Sequence, residues 1–162
     1  MEPILRRPAA LVALTAAALA LALLLPGLGA APFDDPGEGQ HAEIAREAWR
    51  SGDWLTLRLN GVRYFDKPPL LYLLQAGAFA TWGVSEWSAR LAPLAGAVLA
   101  VTATAWLGAR LLGPGGGLLA GAALLSCAFF FAFARYVRPE TLFLAGIQWG
   151  FAGLLVGVSG RS

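Results

Sequence analysis

The chain has 162 residues, 57% of them hydrophobic and only 14% charged, where an ordinary soluble domain carries about 25% charged residues. The charges fall in blocks between long uncharged runs, which excludes an evenly solvated globule and calls for a lipid-facing surface. Net charge is +2, but the Lys and Arg residues stand singly or in pairs and form no stripe that could track phosphates, so nucleic acid is excluded as a partner.

Four uncharged runs, Pro8 to Phe33, Leu91 to Ala109, Leu111 to Ala134 and Thr141 to Gly160, each reach the roughly 20 residues that a helix needs to cross a ~30 Å hydrocarbon core. They predict an all-α integral membrane fold of about four transmembrane helices, over 8–31, 90–109, 115–134 and 141–159. A long outer loop, 32–89, is expected to bear surface-lying amphipathic helices. The first run also has signal-peptide features, with Arg6-Arg7 ahead of it and small residues at Gly29-Ala30-Ala31. Its long apolar core and the runs that follow predict an uncleaved anchor instead.

Arg6 and Arg7 place the N-terminus in the cytoplasm by the positive-inside rule, and the segment from Asp34 to Arg90 outside. Parity then puts Arg110 to Gly117 inside, Arg135 to Glu140 outside and Arg161 inside, as expected of a multi-pass protein of the cell (inner) membrane. A fifth run, Leu70 to Gly83, is short and opens after Pro68-Pro69, which suits a helix start, and is placed at the interface. Gly115-Gly116-Gly117 lacks the Lys-Ser/Thr of a phosphate loop and reads as a turn between spans. Cys127, the single cysteine, lies in an apolar run and reads as a small packing residue.

Seven of the ten carboxylates lie between Asp34 and Asp66, inside the long loop. Gly39 to Arg50 sets Ala42, Ala45, Ala48 and Trp49 at helical spacing, with Glu43 near Arg46 and Glu47 near Arg50, and predicts an amphipathic helix on the membrane surface. Before it, Asp34, Asp35 and Glu38 are placed to cap a helix, bind a divalent cation or act as a general base. Asn60-Gly61 marks a tight turn. In Tyr64-Phe65-Asp66-Lys67-Pro68-Pro69-Leu70, the two prolines fix the backbone so that Asp66 and Lys67 are presented at a defined point. Lys67 reads either as a snorkelling anchor or as a phosphate ligand. Arg135-Tyr136-Val137-Arg138-Pro139-Glu140 forms a second outer cluster, and ionisable residues this close to hydrocarbon are costly unless used.

These blocks resemble a known family. The string Gly37-Glu38-Gly39-Gln40-His41-Ala42-Glu43-Ile44-Ala45-Arg46-Glu47, then Ser51-Gly52-Asp53-Trp54, then Leu59 to Leu70, is similar to the N-terminal part of GT-C membrane glycosyltransferases. The nearest kinds are the aminoarabinose transferases of lipid A and the protein O-mannosyltransferases. Ser85-Glu86-Trp87-Ser88-Ala89-Arg90-Leu91 and Arg135 to Glu140 extend the match to nearly the whole chain. The resemblance implies an inverting transferase that moves a sugar from a polyprenyl-phosphate donor to a lipid or protein acceptor at the outer face, this chain being a fragment of it.

Carried over residue by residue, the resemblance implies Asp35, Glu38 and Glu140 as catalytic residues. It implies Lys67, Arg63, Arg138 and Tyr64 as substrate-binding residues, and Asp66 as the ligand of a divalent metal ion if one is used. Where the family has an Asp-Glu pair opening the surface helix, this chain has Gly37-Glu38, so Asp34, Asp35 or Glu38 must take the aspartate's role. That departure, with the early stop after the fourth run, supports a second reading: a non-catalytic membrane subunit that binds a lipid carrier or partner helices.

Overall fold

The computed structural model describes residues 2–34 and 36–159. Six helices and one short ribbon follow in order: α1 (Glu2–Leu24), α2 (Gly37–Ser51), β1 (Arg58–Leu59), β2 (Val62–Arg63), α3 (Leu70–Trp82), α4 (Glu86–Ser126), α5 (Ala128–Ala134) and α6 (Glu140–Ser159). Two of them, α4 and the Glu140–Val158 stretch of α6, are long and apolar enough to cross a membrane.

Helix α1 stops earlier than its apolar run. Proline at 26 disfavours a helical conformation for Leu25, and Gly27 follows at φ 67, so the chain leaves the helix at Leu24 and turns through 25–33. The expected first span of 8–31 is thus a shorter helix with a bent exit.

Helix α4 starts on a capping box: Ser85 Oγ accepts from Ser88 N (3.2 Å), and Ser88 Oγ accepts from Ser85 N (3.1 Å). It then reverses at Gly113, whose φ of 82 and ψ of 174 break the helix and suit a residue without a Cβ. The two limbs pack back to back through small residues. A Cβ on Gly117 would stand 2.5 Å from Ala105 O and 2.7 Å from Ala109 Cβ, closer than real side chains come. Against this hairpin lies α1, with Ala9, Ala16 and Ala20 buried among Ala97, Ala100, Val101 and Ala105. Small residues allow the close approach that drives helix association in lipid. The turn expected at Gly115-Gly116-Gly117 falls instead at Gly113, with those three glycines in the second limb, and the expected third span, 115–134, is interrupted once, at Cys127 (ψ 115). Cys127 itself is exposed instead of packed in a core, as are its neighbours Ser126, Ala128 and Phe129.

A second layer caps the bundle. Asn60 (φ 53) and Gly61 (φ 79) form the paired left-handed conformation of a two-residue hairpin turn, joining β1 to β2 antiparallel with Arg58 opposite Arg63. The ribbon is a small β addition to the expected all-α fold. Helix α2 begins at Gly37, two residues before its expected start, and buries Ala42, Ile44, Ala45 and Ala48 with Leu57, Leu71, Tyr72 and Phe79. Its apolar face is covered by α3 and the ribbon, where the periodicity suggested a helix resting on lipid. Trp49, expected on that face, is 36% exposed, since it lies one residue past the Ala42-Ala45-Ala48 stripe.

The hairpin gives a direct test. Gly117→Leu is expected to destabilise the detergent-solubilised chain by about 1–3 kcal/mol through overpacking, read as a lower unfolding midpoint. Leu119→Ala on the exposed side of the same limb is expected to stay within about 0.5 kcal/mol. Equal behaviour of the two would mean that the limbs do not touch.

Candidate functional site

At the junction of the two layers Arg90, in the first turns of α4, meets Glu38 in the first turn of α2. Arg90 Nε donates to Glu38 Oε1 (2.9 Å) and Nη2 to Oε2 (2.6 Å), with the side chains only 4% and 3% exposed. The other guanidinium N–H groups reach Leu28 O (2.9 Å), Ala31 O (2.8 Å) and Pro32 O (3.3 Å). All five donors of the fork are thereby placed. Glu38 Oε1 also accepts from Val137 N (2.9 Å), and Oε2 accepts from Asp34 N at a longer 3.4 Å. Four lone-pair positions meet four donors, so nothing on Glu38 is left to take a proton from an acceptor. The geometry gives it a structural task in place of the catalytic one the resemblance implies.

Of the other two acids at this helix start, Asp35 lies outside the described residues. The Asp34 carbonyl accepts from Glu38 N (2.8 Å) and Gly39 N (3.2 Å), while its exposed carboxylate accepts from the Tyr136 hydroxyl. Gly37 makes the room for this pair: a Cβ there would collide with the Tyr136 hydroxyl and sit 3.2 Å from Asp34 Oδ2. Hydrogen bonding to that carboxylate holds the Tyr136 phenol above its ordinary pKa. Arg135, next door, donates to Leu24 O (2.7 Å) and Pro26 O (2.8 Å), closing the helix end that Pro26 leaves open.

The Lys67 turn stands where the double proline delivers it, at the head of α3. Lys67 Nζ is 4.0 Å from Asp66 Oδ2, and the Tyr64 hydroxyl donates to the same oxygen (3.4 Å). Across from it, Arg138 Nη1 is 3.8 Å from Glu140 Oε1 at the head of α6. Both pairs are half-exposed and loose. Pro68 and Pro139, one from each turn, line a single apolar groove of about 400 Å³ with Leu70, Leu142, Phe143 and Ile147. Both turns also act on His41, which feels the charges of Arg138, Glu140, Lys67 and Asp66. The structure thus brings Tyr64, Asp66, Lys67, Arg138 and Glu140 to one region, while Arg63 stays on the exposed ribbon opposite Arg58.

Asp66 was the expected metal ligand, but its neighbours are an ammonium and a phenol. Among the described residues no three His, Cys, Asp or Glu side chains converge as a metal set, so the residues around Asp66 do not fit a metal centre. Glu43 pairs with Arg46 as expected (2.6 Å), and this hydrogen-bonded partner lowers its carboxyl pKa. Glu47 instead accepts from Gly61 N (3.2 Å) and tethers the ribbon to α2.

Three residues that matter here carried no assigned role in the sequence reading: Arg90, His41 and Tyr72. For Arg90 the available signal was a lone arginine at the head of an apolar run, which is costly without partners. For His41 and Tyr72 there was none, because their contact joins residues 31 apart.

Breaking the buried pair should be expensive. Arg90→Met and Glu38→Gln are each expected to cost about 3–5 kcal/mol, measured by unfolding in detergent, and high salt should leave the cost largely unchanged because the pair is shielded from solvent ions. A loss below about 1 kcal/mol would put the pair in the class of exposed bridges.

Comparison with known proteins places this arrangement. Residues 66–158 match the family model described as dolichyl-phosphate-mannose-protein mannosyltransferase. An undecaprenyl phosphate-alpha-4-amino-4-deoxy-L-arabinose arabinosyl transferase of Pseudomonas savastanoi pv. phaseolicola is 41% identical over 80 residues, covering 49% of this chain and 15% of that protein. A second such transferase from Sodalis glossinidius is 31% identical over 137 residues, covering 82% of this chain and 25% of that protein. Crystal structures of ArnT from Cupriavidus metallidurans, in the apo state and bound to undecaprenyl phosphate, superpose with a TM-score of 0.77 at 29% identity, over 83% of this chain and 25% of that one. The chain therefore spans a quarter or less of the length of these relatives. The match over residues 66–158, more than half the chain, shows that it belongs to the dolichyl-phosphate-mannose-protein mannosyltransferase family.

Proposed function

We propose that this chain forms the carrier-binding part of a membrane glycosyltransferase that moves a sugar from a polyprenyl phosphate to a lipid acceptor at the outer face of the inner membrane. The observation that carries the reading is the apolar groove lined by Pro68 and Pro139, the residues that directly follow the cations Lys67 and Arg138 in the chain. An apolar trough with cations at its end suits a molecule that is a prenyl chain at one end and a phosphate at the other. Support comes from the relatives, named for undecaprenyl-phosphate sugar donors, and from the neighbour whose structure holds undecaprenyl phosphate. A protein acceptor is the less favoured choice.

The chemistry follows from charge. When the glycosidic bond to the carrier breaks, negative charge grows on the departing phosphate oxygen, and preorganised cations lower that barrier. Lys67 and Arg138 are held loosely by Asp66 and Glu140, so a phosphate can take over both contacts. Glu140, at the start of α6, orients or deprotonates the acceptor hydroxyl from the side opposite the leaving group, as inversion requires. Asp34, oriented by Tyr136, is a further exposed carboxylate among the described residues.

The topology belongs to the same reading: N-terminus cytoplasmic, four crossings made by α1, the two limbs of α4 with α5 continuing the second, and α6, and the α2–ribbon–α3 cap outside with α3 near the interface. In a Cys127→Ala background, Asn60→Cys is expected to react with an impermeant thiol reagent on intact cells and Gly116→Cys is not. Labelling at Gly116 alone would invert the orientation. In a protein of the relatives' length carrying this segment, Lys67→Ala is expected to lower sugar transfer by about 10²-fold or more with little effect on folding, because the lysine is half-exposed. Glu140→Gln should likewise cut the rate with expression intact. Near-normal transfer by both would reduce these residues to interfacial anchors and leave binding of a carrier, without catalysis, as the function of this face.

A further inference from the structure

Beneath the two charged turns lies a histidine that the proposed mechanism does not use. His41 is the only histidine of the chain and is 7% exposed. Its Nδ1 is 2.9 Å from the hydroxyl of Tyr72, which is fully buried at 0% exposure. Tyr64 packs edge-on against Tyr72, ring centres 5.8 Å apart, and its hydroxyl donates to Asp66 Oδ2. A continuous strut therefore runs from α2 through α3 to the acid that accompanies Lys67.

We propose that His41 is a positioning residue for phosphate binding: through Tyr72 and Tyr64 it sets where Asp66 and Lys67 stand, and its protonation adds positive potential below Lys67 and Arg138. The inference rests on the carrier-binding reading above and adds to it a residue that touches neither carrier nor acceptor. The neighbouring buried positions of α2, Ala42 and Ala45, are served by methyl groups, and an imidazole buried beside them costs desolvation unless its polar atoms are used.

The groups that face His41 are Tyr72 from α3, Asp66 and Lys67 from the turn before α3, and Arg138 and Glu140 from the turn before α6. Burial first, and the guanidinium of Arg138 second, hold its pKa below the ordinary 6.5. At neutral pH it is therefore an uncharged hydrogen-bond partner. A phosphate anion arriving between Lys67 and Arg138 offsets their repulsion and favours the imidazolium, so binding takes up a proton. The sign for the fold is the opposite. A depressed histidine pKa contributes stability that is present above the unfolded value and lost as pH falls through the folded value. Anion affinity should thus rise on the acid side while the empty protein weakens.

The test uses the chain in lipid nanodiscs with a prenyl methyl phosphodiester as probe, because its single charge does not titrate near neutrality whereas a phosphate monoester does. With one histidine in the chain, its NMR titration is read without assignment. The His41 pKa is expected to rise when the diester binds, and wild-type affinity to tighten as pH falls through that pKa. His41→Gln should keep neutral-pH affinity within about twofold, since an amide still bonds to Tyr72, but lose the acid-side tightening. Tyr72→Phe, which preserves the ring and the fold, should weaken binding by about threefold to tenfold, the size of one neutral hydrogen bond. If Lys67→Ala weakens binding but the diester leaves the His41 pKa unmoved and His41→Gln keeps the wild-type pH profile, the positioning role is overturned and the carrier site stands. If wild type does not bind the diester, or Lys67→Ala binds as well as wild type, the carrier reading falls and takes this inference with it.

Discussion

The structure depends on the Arg90–Glu38 pair. One guanidinium ties the start of α2, the first turns of α4 and the bent exit from α1, and the carboxylate also holds Val137. Those segments are otherwise strangers in sequence, with 52 residues separating the two charges. Backbone carbonyls at the end of α1 and in the bent exit after it need donors, because an orphan away from water costs several kcal/mol. Arg135 supplies them to Leu24 and Pro26, and Arg90 to Leu28, Ala31 and Pro32. The same bonds fix the Arg135–Glu140 turn against the cap, and that turn forms one wall of the apolar groove. A buried ion pair adds little net stability compared with an apolar contact, but here it sets the geometry of four segments at once.

Below this junction the buried core is mostly alanine, and above it Tyr72, Phe79 and Leu71 join the alanines of α2. The difference follows from the solvent. Between helices in lipid there is no hydrophobic gain from burial, so close backbone approach through small residues does the work, whereas the cap, which the proposed topology sets outside the membrane, buries apolar area in the ordinary way. The proposed site sits at the boundary of these two regimes, where an apolar trough and hydrated charges can lie within one ligand's reach.

Much of this was legible from local patterns. Asn60-Gly61 announced its turn, Pro68-Pro69 announced the start of α3, and the Ala42-Ala45-Ala48 spacing announced the buried stripe of α2. What was not legible is non-local. The glycines pointed to a turn between the second and third runs but not to its exact place: Gly115-Gly116-Gly117 read as the turn, whereas the chain folds back at Gly113, the residue with positive φ. The stripe of α2 could not say whether protein or lipid would cover it. Glu38 reads as one acid among several until its pairing with Arg90, 52 residues away, is known, and Arg63, which the resemblance groups with Lys67, lies exposed on the ribbon opposite Arg58.

On the proposed reading the two outer turns, around Lys67 and around Arg138, form one headgroup site. A rival location exists on the same molecule: a larger apolar hollow of about 690 Å³ between α1, α3 and α4, lined by Leu21, Leu74, Trp82, Leu94 and Leu99, with no cation among its walls. Photolabelling the chain in nanodiscs with a prenyl phosphate carrying a diazirine on the carbon next to the phosphate would decide between them. The label is expected on peptides containing Asp66 to Leu70 and Arg138 to Phe143, competed by unlabelled prenyl phosphate. Label confined to Leu74–Trp82 and Leu91–Leu99 would contradict it.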